Sequence, residues 1–158
     1  MKQTSIALGT LLALLYSLIT VADSSLGVTE AWIREAPPGA DVLAAYMVIA
    51  NRDVDTATIT TISSPDFERV EVHRTLVEDG VARMVPVESL QITAAGRVVL
   101  EPGGMHLMLF SPRRQLRAGN SVALDLQQSD SASIRVNVPV VKINAADGDD
   151  DSHHHQHH

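Results

Sequence analysis

Between residues 27 and 143, apolar side chains alternate with polar ones or gather in short runs, and no stretch keeps the spacing of an amphipathic helix. The pattern predicts strands over residues 29–34, 44–51, 56–62, 70–77, 81–87, 97–100, 105–110, 121–126 and 133–141. Turn residues separate them: Pro37-Pro38-Gly39, residues 51–55, Ser63-Ser64-Pro65, Asp79-Gly80, Pro102-Gly103-Gly104 and Gly119-Asn120. Short strands at this density predict an all-β chain, an antiparallel β-sandwich or barrel forming a single domain.

Both ends depart from this pattern. Lys2 precedes a nearly unbroken apolar run over residues 6–21, which ends at the small residues of Thr20-Val21-Ala22. That build predicts an export signal over residues 1–22, cleaved near Ala22, with the bacterial periplasm as the simplest destination. The alternative is an uncleaved anchor, but the run falls short of the ~20 residues that a span needs, and no membrane attachment is expected after cleavage. No cysteine follows it, which excludes a lipid-modified N-terminus. The folded domain is then expected over residues 23–143. Residues 144–158 offer nothing apolar to bury and predict a disordered tail. Its His153, His154, His155, His157 and His158 follow Asp149, Asp150 and Asp151, a donor set suited to Cu(II), Ni(II) or Zn(II). An expression tag would also be histidine-rich, but Gln156, the acidic lead-in and the retained signal favour a natural tail.

Composition narrows the chemistry. The 158 residues carry a formal charge of -7, and the 12 Lys and Arg residues are scattered, so the basic footprint of a nucleic-acid-binding protein is missing. The absence of cysteine removes disulfides, thiolate zinc sites, iron–sulfur clusters, cysteine nucleophiles and the thiolate-ligated blue-copper centre. Histidine and methionine remain. Outside the tail, His73 and His106 are the only histidines, and Met84, Met105 and Met108 share their stretch of chain.

Strand geometry groups these residues. If Asp79-Gly80 forms a two-residue turn, Thr75 faces Met84 and His73 faces Pro86, which makes His73 and Met84 diagonal neighbours at ~7–8 Å on one face. A three-residue loop would put Met84 on the opposite face. In Met105-His106-Leu107-Met108, the period of two projects His106 and Met108 together and sends Met105 toward the core. Two imidazoles and two neutral thioethers favour Cu(I), whereas Zn(II) prefers thiolate, imidazole or carboxylate. Without a thiolate, reversible holding and passing on of copper is the chemistry that remains.

At these residues the chain resembles the periplasmic copper chaperones called PCu(A)C. That family's pattern is a histidine, ten residues, a methionine, twenty-one residues and then His-x-Met, and His73, Met84, His106 and Met108 stand at those separations. Ala31-Trp32-Ile33-Arg34, Pro37-Pro38-Gly39, Ala44-Ala45-Tyr46 leading to Asn51, and Leu100-Glu101-Pro102-Gly103-Gly104 are also similar to the family. The resemblance spans residues 28–142. It implies a cupredoxin-like β-sandwich that binds Cu(I) through those four side chains and delivers it to the CuA centre of cytochrome c oxidase subunit II, or to another copper-delivery protein, with no catalysis. Arg74 stands where some members have a methionine. A monomer is expected. The second function class is a copper or zinc scavenger or buffer centred on the tail, and the third is an adhesion sandwich with a coincidental motif.

The remaining candidates have simpler readings. Trp32 is expected in the core rather than in a binding platform with Tyr46. Asp53 with Asp55, or Asp125 with Asp130, would be needed for carboxylate-pair hydrolysis, but nothing in the sequence brings either pair into a polar pocket. Arg113, Arg114 and Arg117 form a small basic cluster beyond Met108, read as a solvated turn with an acidic partner surface as the alternative.

Overall fold

In β8 (Met105–Pro112) the alternation does what its sequence predicts, since Leu107 and Leu109 are fully buried while Met108 and Phe110 on the other face stay half-covered. Burying each such leucine contributes about 1.5–3 kcal/mol, so β8 is held by its inner face and its outer face is free for chemistry. The computed structural model describes residues 25–143. The expected export signal over residues 1–22 and the tail over residues 144–158 lie outside the described residues.

The other strands are β1 (Leu26–Arg34), β2 (Val42–Asn51), β3 (Ala57–Ser63), β4 (Phe67–Glu78), β5 (Val81–Val87), β6 (Leu90–Ile92), β7 (Arg97–Leu100), β9 (Ser121–Gln128) and β10 (Ser133–Val141). All the expected strands form, and β6 is added to them. The hydrogen-bonded order is β5-β4-β8-β2-β1-β10-β9-β3-β6, with β7 also paired to β2. Ile33 and Leu107 from one half of this ribbon share a core cluster with Ile59, Val122 and Leu124 from the other, so the ribbon folds over on itself as a sandwich. The pairing departs from a fully antiparallel arrangement at one place among the described strands: β1 runs parallel to β10, with Ile33 opposite Val140 and Arg34 opposite Val141.

A bulge in β1 decides which side chains its second half buries. Thr29 pairs with Val48, but Trp32 pairs with Tyr46, and Glu30 between them has a φ of 53°. The extra residue flips the alternation. Leu26 points inward before the bulge, Ile33 points inward after it, and Trp32 is left on the outer face against Tyr46. The expectation of a core tryptophan is thereby corrected, because Trp32 is half-buried on the outside of the sandwich.

Candidate metal centre

The turn between β4 and β5 sets the site. Asp79 and Gly80 have φ of 51° and 76°, the left-handed pair of a type I′ turn, which favours glycine at one of its two central positions. The register follows: Glu78 opposite Val81, Thr75 opposite Met84 and His73 opposite Pro86. The alternative three-residue loop does not form. On its other edge β4 pairs with β8, placing His73 directly opposite His106 and Glu71 opposite Met108. His73, Met84, His106 and Met108 therefore project from one outer face of three adjacent strands. Met105 lies on the other face and packs against the core, as expected.

Hydrogen bonds leave each imidazole with one free nitrogen. His106 is only 6 % exposed, and its Nδ1–H donates to the Gly104 carbonyl at 3.2 Å, so Nε2 keeps a lone pair. The His73 side chain is 14 % exposed, and its Nε2 lies 2.8 Å from Glu71 Oε2. Its Nδ1 is buried without a hydrogen-bond partner. A buried nitrogen left unpaired costs free energy, and a bound metal would remove that cost. Glu71 Oε1 also meets Arg69 Nε at 2.6 Å, and the Arg69 guanidinium stacks 4.2 Å over the Phe110 ring. The hydrogen bond from His73, with the charge of Arg69 added, holds the Glu71 carboxyl below the ordinary carboxylate range. A carboxylate on the remote nitrogen of an imidazole is the arrangement that orients metal-binding histidines.

A row of rings lines the face. Trp32 and Tyr46 centroids are 4.4 Å apart, Tyr46 and His106 6.5 Å, His73 and His106 6.4 Å, and His73 and Phe110 6.3 Å. Burial pushes the Tyr46 phenol up, against the opposing charge of Arg34. Tyr46, Thr75, Met84, Gly103, His106 and Met108 border a shallow cavity of about 350 Å³, while His73 does not line it. Met84 is 59 % exposed on the edge strand β5 and is the most open of the four. Among the described residues no three His, Cys, Asp or Glu side chains cluster to hold a metal, and the register brings two imidazoles and two thioethers to this face. Such a set suits a soft, singly charged cation.

The other candidates separate. Arg114 pairs with Asp66 at 2.6 Å and Arg113 donates to the Phe67 carbonyl, so among the described residues only Arg114 of the basic cluster has a carboxylate partner. Asp125 pairs with Arg135 at 2.6 Å rather than with Asp130. Sequence reading passes over Glu71. Its signal was the Glu71-x-His73 spacing, which puts both side chains on one face of a strand.

Comparison with known proteins adds the lineage. Residues 26–140 match the family described as "Putative lipoprotein LpqE-like". The chain belongs to the LpqE-like family. A relative named "Putative lipoprotein Lxx21020", from Leifsonia xyli subsp. xyli, is 30 % identical over 120 residues, which span 75 % of this chain and 71 % of that protein. The sequence of this LpqE-like chain contains no cysteine. Its fold is the cupredoxin-like fold of PCuAC domains. The copper-bound PCuAC domain from PmoF2 superposes with a TM-score of 0.64 at 18 % identity, covering 76 % of this chain and 95 % of that domain. Apo-DR1885 from Deinococcus radiodurans gives 0.60 at 24 % identity, covering 90 % and 96 %. The CuI form of DR1885 gives 0.55 at 24 % identity, covering 75 % and 77 %.

Proposed function

We propose that this protein is a periplasmic copper chaperone that binds one Cu(I) through His73, Met84, His106 and Met108 and passes it to an acceptor by ligand exchange. One observation carries the reading. On one outer face, His73 Nδ1 and His106 Nε2 are left free by hydrogen bonds to their partner nitrogens, beside two thioethers. The similar fold of the copper-bound PCuAC domain from PmoF2 and of CuI-DR1885 supports it. No thiolate is present, so the copper would be held by neutral donors that a thiolate-bearing acceptor can displace. Met84 is the donor an incoming ligand reaches first, because it is the most exposed and sits on an edge strand. The CuA domain of cytochrome c oxidase subunit II is the acceptor this reading names, and His153, His154, His155, His157 and His158 form a second site, for Cu(II).

Anaerobic competition against a Cu(I) chelator tests the site, using a full chain whose five tail histidines are replaced by alanine. One tight equivalent is expected, with His106→Ala and Met108→Leu each weakening binding by about tenfold or more, equivalent to ~1.4 kcal/mol. Failure of the unsubstituted domain to compete overturns the proposal. Mixing the Cu(I)-loaded protein with an apo CuA domain tests delivery, and copper that stays in place makes the protein a scavenger or buffer.

A further inference from the structure

The metal-site cavity does not end at Tyr46. Through Val42, Leu43, Ala44 and Tyr46 it runs into a broader groove of about 660 Å³ bordered by Arg34, Glu35, Pro37, Arg117, Lys142 and Ile143. Three positive charges face one negative charge there, on a chain whose formal charge is -7. Arg34, Arg117 and Lys142 have no carboxylate partner among the described residues, where Arg69, Arg114 and Arg135 each have one. Lys142 and Ile143 are also the last described residues, so the chain leaves the sandwich at the groove's own wall.

We propose that the segment containing Asp147, Asp149, Asp150 and Asp151 docks in this groove and holds the tail histidines beside the mouth of the metal site. Charge complementarity selects the occupant, since four carboxylates follow within eight residues of Ile143. Reach permits it, because the ten residues from 144 to 153 span up to about 35 Å when extended. Tethering favours this segment over a separate acidic protein, because covalent attachment through so few residues gives an effective concentration on the order of mM. The consequence for copper rests on the function proposed above, whereas the docking itself does not require metal.

The protein has no cysteine, so Ser152→Cys in the metal-free full chain offers a unique position for a nitroxide spin label. At low salt the label is expected to broaden the amides of Arg34, Ala44, Tyr46 and Arg117 selectively. Arg34→Gln with Arg117→Gln, or Asp149→Asn with Asp150→Asn and Asp151→Asn, should cut that broadening several-fold, as should 1 M salt, where the Debye length shrinks to about 3 Å. Broadening spread evenly over both faces, or unchanged by either set of substitutions, overturns the proposal. So does an undisplaced free groove that responds only to an added poly-aspartate peptide, which would assign it to a separate acidic partner. Cu(I) competition on the same variants keeps the two ideas apart: the groove variants should retain full affinity, and a chain that docks its tail but binds no Cu(I) defeats only the chaperone reading.

Discussion

Glu71 fixes the ring of His73 by accepting from Nε2–H and leaves Nδ1 unpaired on the face that His73 shares with His106. Arg69 pins the same carboxylate from its other oxygen, so the glutamate is held as well as holding. Removing such a supporting carboxylate costs about 10–100-fold in metal affinity in comparable sites. Glu71→Ala is therefore expected to weaken Cu(I) binding within that range, while Glu71→Gln, whose amide oxygen still accepts from Nε2–H, should retain most of it. Competition titration reads the affinity, and imidazole ¹⁵N shifts read which nitrogen of His73 carries the proton. If alanine at position 71 changes neither, Glu71 has no part in the site. The shared face of His73, Met84, His106 and Met108 was legible from strand period and turn chemistry, but Glu71 was not, because a glutamate in a half-exposed strand reads as ordinary surface until the strand's partner and face are known.

At the scale of elements, alternation and turn chemistry carried far. Asp79-Gly80 announced both the hairpin and its register, and with them the face of Met84. β6 escaped because Leu90-Gln91-Ile92 is too short to display a period. The parallel β1–β10 pairing escaped because it joins strands from opposite ends of the fold, and neither strand's own pattern encodes its neighbour. The Glu30 bulge escaped because one added residue looks like continued strand while reversing every later side chain. The two faces of β8 make separable predictions. Leu107→Ala removes a fully buried side chain and should cost about 2–5 kcal/mol of stability. Met108→Leu nearly conserves volume on the half-covered outer face and should cost less than about 1.5 kcal/mol while removing a proposed copper donor. Chemical unfolding of the metal-free chains measures both. Equal destabilisation by the two changes would mean that Met108 is a core residue and not a ligand.

Under the proposed function, the whole molecule divides its donors by hardness. The sandwich gathers thioethers with imidazoles and suits Cu(I), whereas the tail offers imidazoles and carboxylates, which suit Cu(II). The two proposed sites, for two oxidation states on one chain, should then be independently removable. Replacing His153, His154, His155, His157 and His158 with alanine is expected to abolish Cu(II) binding, followed by the electron paramagnetic resonance signal, and to leave the anaerobic Cu(I) equivalent unchanged. His106→Ala should do the reverse. The full chain suits both measurements, because each substitution is confined to one donor set and the sandwich core is untouched. Unchanged Cu(II) stoichiometry after the tail substitutions would place that ion on the sandwich. The same four donors would then have to serve both oxidation states, and the separation by hardness would fail.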